Sequence, residues 1–295
     1  MKVQVKDLIR VYRLGNVEVQ ALRGLNMEVR EGEMVSVIGP SGSGKTTLLN
    51  IVGGLDQATA GHVQVGNTTV TALETSQLVD FRRNTVGHIF QTLNLIPTLT
   101  AAENVGLPMI ALGASRGRRH ERVKQLLETV GLVDRAKHKP DELSGGEQQR
   151  VAMAAALAND APVLLADEPT GELDTVNAKI VVDYLLKVNK ELGKTIIMVT
   201  HDPNVARAAN RILKIEDGTI KAALTPAQIV KEEAAVSYVD QLRSRIVDIE
   251  AQLATLDKDF KAGKISGDQY VERRQNLKQM KNSLDEELHR MGVVT

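Results

Sequence analysis

Residues 34–46 read MVSVIGPSGSGKT, from Met34 to Thr46. Met34 to Ile38 (MVSVI) is a mostly apolar, largely β-branched run, the pattern of a strand buried on both faces of a parallel sheet. A glycine-rich turn follows, and Lys45 to Val52 has helical character. Strand, turn and helix in that order are the context required by the phosphate-binding pattern G-x-x-x-x-G-K-[ST], which Gly39 to Thr46 satisfies. Gly39, Pro40, Ser41, Gly42, Ser43 and Gly44 are therefore expected to wrap a nucleotide's phosphates. The glycines let the backbone turn and bring N–H groups close to phosphate oxygens. The helix starting near Gly44 aims its positive end at the same oxygens. Lys45 is expected to reach the β- and γ-phosphates, and Thr46 to ligate Mg²⁺. The competing reading is a chance glycine-rich turn, and the flanking strand and helix weigh against it.

Working outward, a second buried-strand run, Val163 to Ala166, ends at Asp167 and Glu168. A carboxylate at the C-terminal end of such a strand can hold Mg²⁺ through water, the place expected for Asp167. Glu168 is then the candidate general base that orients an attacking water. A third run, Thr195 to Thr200, delivers His201 to the same end of the sheet. Residues 143–148 read LSGGEQ. Within them Ser144 and Glu147 form an S-x-x-E capping box, followed by strong helix formers. A helix is expected to begin there with its first N–H groups offered to an anion. An ordinary capped helix accounts for Ser144 and Glu147, but not for Gly145 and Gly146 at its start.

LSGGEQ is similar to the signature sequence of ATP-binding-cassette (ABC) ATPases, and with GPSGSGKT the chain resembles that family over roughly residues 1–222. The resemblance implies two copies that sandwich ATP between the phosphate loop of one and Ser144, Gly145, Gly146, Glu147 and Gln148 of the other. It also implies that Thr47 touches the α-phosphate, and that Gln91 contacts Mg²⁺ and the lytic water. By the same resemblance His201 is the switch histidine, Asp174 links the two ATP sites of the dimer, and Tyr12 stacks on adenine. Glu172 stands where the family commonly has Asn or Ala, which bears on local interface contacts. The segment FQTLNLIPTLTAAENV, Phe90 to Val105, resembles the bacterial branch of macrolide-export, lipoprotein-release and cell-division ATPases. Polar-amino-acid importers carry a related segment, usually with Phe and His near the proline.

Composition bounds the alternatives. Lys plus Arg and Asp plus Glu are 37 each, so no global field favours nucleic acid. No stretch approaches 18 uncharged apolar residues, and the N-terminus lacks a signal-peptide core. The absence of cysteine excludes disulfides and cysteine–metal sites. A transport ATPase of this kind needs its membrane segments on another chain. The expectation is thus the ATP-hydrolysing subunit of an ABC transporter or a mechanotransmission complex, coupled to transport or mechanical work, peripheral at the cytoplasmic face of the membrane and docked on a separate permease. Leu93, Leu95, Ile96, Leu99 and Leu107, between Gln91 and Leu112, offer more apolar surface than a loop needs and mark the docking place.

The expected fold is an α/β P-loop core with an antiparallel β subdomain near the N-terminus and a helical subdomain over about 92–160. Residues 1–223 form this nucleotide-binding domain, and 224–295 a C-terminal helical hairpin. Thr225, Pro226 and Gln228 start a helix. Val239, Leu242, Ile246, Ile249, Leu253, Leu256 and Phe260 then follow coiled-coil spacing, ended by Gly263. Ser266 and Gln269 cap a second helix whose stripe runs through Tyr270, Leu277, Met280, Leu284, Leu288 and Met291 to Gly292. Self-association or permease docking competes with a bland stabilising role. The stretch DFKAGKISGDQYVERRQNL also resembles, briefly, C-terminal hairpins of other bacterial membrane-associated proteins.

Two further function classes compete with this reading. A soluble ABC ATPase acting on DNA or ribosomes is disfavoured. Only 98 residues lie between Lys45 and Ser144, too few for a long coiled coil, and there is a single cassette. An inactive binding module is disfavoured because Lys45, Gln91, Asp167, Glu168 and His201 are all present. Cargo and direction of transport are not written in this chain.

Overall fold

The structure is a computed structural model that describes residues 1–15, 17–171, 173–261 and 266–291. Glu172, the AGKISG link around Gly263, and Gly292 therefore fall wholly or partly outside the described residues. Contacts divide the chain into two units, residues 1–226 and 227–295.

The first unit opens with β1 (Val3–Leu14), β2 (Val17–Val29), β3 (Met34–Ile38), α1 (Lys45–Val52), β4 (Ala60–Val65) and β5 (Thr68–Thr69). It continues with α2 (Thr75–Asn84), β6 (Val86–Ile89), α3 (Ala101–Ala111), α4 (Arg116–Thr129), α5 (Gly145–Ala156) and β7 (Val163–Asp167). It ends with α6 (Thr175–Leu192), β8 (Thr195–Thr200), α7 (Pro203–Ala206), β9 (Arg211–Glu216) and β10 (Thr219–Leu224).

The sheets sort as the apolar patterns require. A six-stranded sheet has the order β10-β9-β3-β8-β7-β6, parallel except for the β9–β10 pair. Every residue of β3 and β8 is buried, which is why those runs show no polar alternation. Their side chains still alternate between two cores. Val35, Val37, Leu165, Ile197 and Val199 face the core shared with α1 and the β1/β2/β4 layer. Met34, Leu164, Ala166, Ile196 and Met198 face the core shared with α3, α5 and α6. The smaller sheet, β2-β1-β4-β5, is antiparallel. Helices α3, α4 and α5 occupy the stretch expected to be helical.

The parallel strands place Ile38, Asp167 and Thr200 at one end of the sheet. β3 runs beside β8, with Ile38 opposite Thr200, and β7 runs beside β8, with Asp167 opposite Val199. Loops leaving that end carry the chemistry, the usual location in an open α/β sheet.

The second unit holds α8 (Pro226–Lys261) and α9 (Gly267–Arg290). Ser266 caps α9 reciprocally with Gln269, as its sequence requires. The helices are antiparallel: Tyr238 donates to Glu287, Lys281 pairs with Glu250, and Phe260 stacks on Tyr270 at 4.2 Å. Leu242, Ile249 and Leu256 are buried, whereas Val239, Ile246 and Leu253 are half-buried. On α9 the stripe is narrower than its spacing suggested. Leu288 is buried, but Met280 and Met291 are exposed. A two-helix contact covers less than the full stripe of each member, so these side chains lie off the packed line.

Candidate functional site

The phosphate loop turns on two glycines for different reasons. Gly44 caps α1 at φ 99°, and a Cβ there would stand 2.5 Å from the Ala21 carbonyl oxygen. Gly39 has no left-handed φ. Its constraint is packing: a Cβ would lie 2.1 Å from the Ile215 carbonyl oxygen of β9. The sequence credited Gly39 with turning and phosphate approach, and the fold adds close contact with a strand 176 residues away in the chain. The Gly218 N–H, in the β9–β10 turn, donates to the Ser43 carbonyl at 3.2 Å. The loop is thus braced from a turn that sequence reading treated only as the end of the cassette.

Two features of the loop fit an anion. The Ser43 hydroxyl is buried without a hydrogen-bond partner among the described residues. Lys45 is buried, and its Nζ donates to the Gly39 and Pro40 carbonyls at 2.8 and 2.9 Å. The ammonium already lies across the loop, where the triphosphate's charge would replace those carbonyls as its partner.

Thr46 donates its hydroxyl to Asp167 Oδ1 at 3.2 Å, joining α1 to the end of β7. Burial raises the Asp167 pKa above the ordinary carboxylate value. The Thr46 bond and the Lys45 charge oppose that rise, and Glu168 adds to it. A hydroxyl and a carboxylate meeting beside the phosphate loop are the hard oxygen donors that suit Mg²⁺.

Glu168 adopts φ 45°, the left-handed region, which costs a non-glycine residue of order 1–3 kcal/mol. The conformation is held on both sides. The Glu168 N–H donates to Val199 at 3.0 Å, and its carbonyl accepts from Gly171 at 3.0 Å. The turned backbone aims the carboxylate at the end of β8. There Oε2 accepts from the His201 backbone N–H at 3.3 Å and lies 3.0 Å from His201 Nδ1. Glu168 is nearly buried and His201 exposed, at 12% and 69% of the side chain. A strand-end Asp-Glu pair was legible in the sequence, but the strained backbone that separates the two carboxylates was not.

The signature stretch folds as its capping pattern requires. Ser144 Oγ accepts from the Glu147 N–H at 3.3 Å, and Glu147 Oε2 accepts from the Ser144 N–H at 2.8 Å. The Ser144 N–H, with Arg135 beside it, holds the Glu147 carboxyl below its usual pKa. Gln148 is committed inside the chain, donating to the Pro140 and Leu143 carbonyls at 2.8 and 3.1 Å. Asp174 caps α6 through the Val176 and Asn177 N–H groups, and these bonds lower its pKa, Asn177 foremost. Asn177 also donates its side chain to Asp174 at 2.7 Å and packs on Gly146, where a Cβ would meet its Oδ1 at 2.3 Å. Asn177 therefore ties Asp174 to the signature helix. Sequence reading missed it, because a polar residue three positions past a cap is unremarkable until α5 is seen against it.

Tyr12 lies on β1, half-buried, with its hydroxyl 3.5 Å from Thr47 Oγ1 on α1. This places the aromatic ring beside the phosphate-loop helix. Gln91 is exposed in the turn after β6, and among the described residues no hydrogen bond joins it to Thr46 or Asp167. The following loop is held by Asn104, another unforeseen residue, which accepts from Ile96 N–H and donates to the Ile96, Leu99 and Thr100 carbonyls.

The chain is similar to known proteins in sequence and in fold. The family model described as ABC transporter matches residues 22–171. MJ0796, an ABC transporter ATP-binding protein of Methanocaldococcus jannaschii, is 47% identical over 223 residues, covering 74% of this chain and 95% of its own. The macrolide export ATP-binding/permease protein MacB of Psychrobacter cryohalolentis is 44% identical over 253 residues, 81% of this chain but 38% of MacB. Among solved structures, the dimeric post-hydrolysis state of the MJ0796 cassette bound to ADP and Pi matches with a TM-score of 0.72. It covers 76% of this chain and 98% of that one at 44% identity.

Proposed function

This chain belongs to the ABC transporter family of ATPases, and we propose that it is the subunit whose ATP-driven dimerisation powers a separate membrane permease. The observation that carries this reading is the continuous constellation Lys45–Thr46–Asp167–Glu168–His201 at one sheet end. In the proposed cycle the loop N–H groups and Lys45 bind the β- and γ-phosphates, and Thr47 touches the α-phosphate. Thr46 and Asp167 would hold Mg²⁺, and Gln91 would contact the ion and the attacking water. The ion would supply neutralisation of the charge that develops on the phosphates. Glu168 orients the attacking water and takes its proton, while His201 steadies the Glu168 carboxylate and the γ-phosphate. A second copy supplies Ser144 to Gln148 across the γ-phosphate, with Asp174 linking the two sites. The dimeric MJ0796 cassettes support that arrangement.

The permease-docking surface in this proposal is the face around Gln91 to Leu112. Leu93, Leu95, Ile96 and Leu107 line a concavity of about 330 Å³ with His88 and Phe90. Leu99 instead lines a neighbouring groove of about 790 Å³ between α3 and α4. No described helix is long and apolar enough to cross a membrane. A permease on another chain, at the cytoplasmic face, completes the reading. The likeness to MacB, a macrolide export ATP-binding/permease protein, supports the export branch. The C-terminal hairpin is proposed as a docking or self-association element.

Affinity purification of the full chain from native membranes tests the proposal. The expected result is Mg²⁺-dependent ATP hydrolysis and co-purification of a multispanning membrane protein. Recovery with ribosomes or nucleic acid instead would favour the soluble class.

A further inference from the structure

Around Tyr12 the structure holds a polar assembly that none of the phosphate chemistry uses. Asp56 lies just beyond the end of α1, with its backbone N–H on the Asn50 carbonyl of that helix. Its side chain gathers three donors. The Tyr12 hydroxyl donates to Oδ2 at 2.6 Å, Arg10 Nη2 to Oδ1 at 2.7 Å, and the Gln57 N–H to Oδ1 at 2.7 Å. The Arg10 guanidinium also lies over the Tyr12 ring, 4.4 Å from its centroid. Arg10 Nε is buried without a partner among the described residues. Arg10 and Asp56 are mostly buried, about 21% and 22% exposed.

A tyrosine fastened this way is an unusual use of a buried ion pair. Such a pair is weak evidence for stability, because desolvation offsets its attraction. Its better-attested contribution is a fixed geometry. Here the fixed object is an aromatic plane. Its hydroxyl is tied to the C-terminal end of α1 through Asp56 and lies near Thr47 at the N-terminal end. One ring face is covered by a cation, while the side chain as a whole remains half-exposed. Val19, directly across the β1–β2 ladder from Tyr12, is 46% exposed, so apolar surface continues beside the ring.

We propose that Arg10 and Asp56 are positioning residues for the nucleotide base: they lock the Tyr12 ring at a set distance from the phosphate loop, so that one purine base stacks while its triphosphate is held. The proposal rests on the ATP-binding reading above and extends it to residues with no phosphate contact. Arg10, itself paired with Asp56, covers one face of the ring and leaves stacking to the other. Asp56 converts that orientation into a rigid link with α1, whose first residue is Lys45. Preorganisation of this kind reduces the ordering cost of binding the base and leaves the phosphate contacts alone.

The test compares two probes on the full chain, Mg-ATP and Mg-tripolyphosphate, which has the phosphates without the base. Asp56→Ala is expected to weaken Mg-ATP about 5- to 20-fold and leave tripolyphosphate within twofold, the effect appearing in KM for ATP. Tyr12→Phe keeps the ring and removes only the hydroxyl link. It should reproduce part of that loss, and the double variant should be no worse than Asp56→Ala alone. Asp56→Asn, which keeps an acceptor for the hydroxyl, should recover part of the affinity. Parallel loss of both probes, or additive losses in the double variant, would overturn the proposal. So would unchanged ATP affinity in Asp56→Ala. If Asp56→Ala fails to fold, Tyr12→Phe alone decides between the outcomes. A parent that binds neither probe refutes the ATP-binding reading itself, which separates the two failures.

Discussion

Glu168→Gln is the perturbation most directly set up by the geometry. The substitution keeps shape and exchanges a carboxylate for an amide that has no basicity near neutral pH. Its carbonyl oxygen can still accept from the His201 N–H, as Oε2 does at 3.3 Å. The backbone bonds that hold φ at 45° do not involve the side chain and persist. The stability cost is then the difference between a charged and a neutral acceptor, about 1 kcal/mol, or a Tm decrease of a few degrees for a unit of this size. The catalytic cost is far larger, since loss of a general base is worth about 10²–10⁴-fold, roughly 3–5 kcal/mol of barrier. Steady-state phosphate release should fall at least 100-fold while Mg-ATP binding remains. Light scattering in Mg-ATP should show a dimer that persists, because binding groups are intact and turnover is not. Glu168→Gly serves as the control for strain: it should lose the same activity yet relax the left-handed backbone. Hydrolysis by Glu168→Gln within about threefold of the parent would refute the assignment of the base and of the aimed carboxylate.

Ser144→Asp keeps a capping acceptor for the Glu147 N–H but sets a negative charge against a phosphate in trans. It should bind ATP as a monomer and fail to dimerise; cooperative hydrolysis in this variant would refute a composite site. Leu95→Asp places a charge in the 330 Å³ concavity and should abolish co-purification of the membrane partner while ATP binding by the isolated chain persists. In the hairpin, Ile246→Asp with Leu253→Asp alters half-buried positions, whereas Leu242 and Ile249 are buried. The double variant should retain helicity by circular dichroism and lose higher-order or permease assembly, and unchanged assembly would leave the hairpin a stabilising appendage. His88 sits against Gly53 and Phe90, and burial lowers its pKa to about 4. The folded state therefore binds fewer protons than the unfolded state between about pH 6.5 and pH 4. Its stabilising contribution is complete above pH 6.5 and is lost as pH falls through that window, of order 3 kcal/mol by pH 4. Denaturant midpoints should show a shallower acid decline in His88→Gln than in the parent; identical slopes would contradict the buried neutral histidine.

Local order in the chain determined much of this molecule. Met34–Ile38, Val163–Ala166 and Thr195–Thr200 are strands because a parallel sheet covered on both faces leaves its strands no exposed side, and a predominantly apolar run without regular polar alternation expresses that directly. Gly39 to Thr46, the Ser144–Glu147 box and the Ser266–Gln269 box were legible because phosphate cradles and helix caps are set by residues within a few positions of one another. Tertiary structure decided what depends on distant neighbours. Gly39 faces the Ile215 carbonyl, Gly218 braces Ser43, Asn177 packs on Gly146, and Asp56 gathers Arg10 and Tyr12. None of these pairs is linked by periodicity, since each joins elements brought together only by the strand order of the sheets. The hairpin shows the same division. Heptad spacing marked which residues form a stripe, but burial was decided by where one helix lies on the other, leaving Met280 and Met291 exposed. The left-handed turn at Glu168 is the sharpest case. Two adjacent carboxylates are equivalent in sequence, and only a backbone strained between β7 and β8 sends one toward Thr46 and the other toward His201.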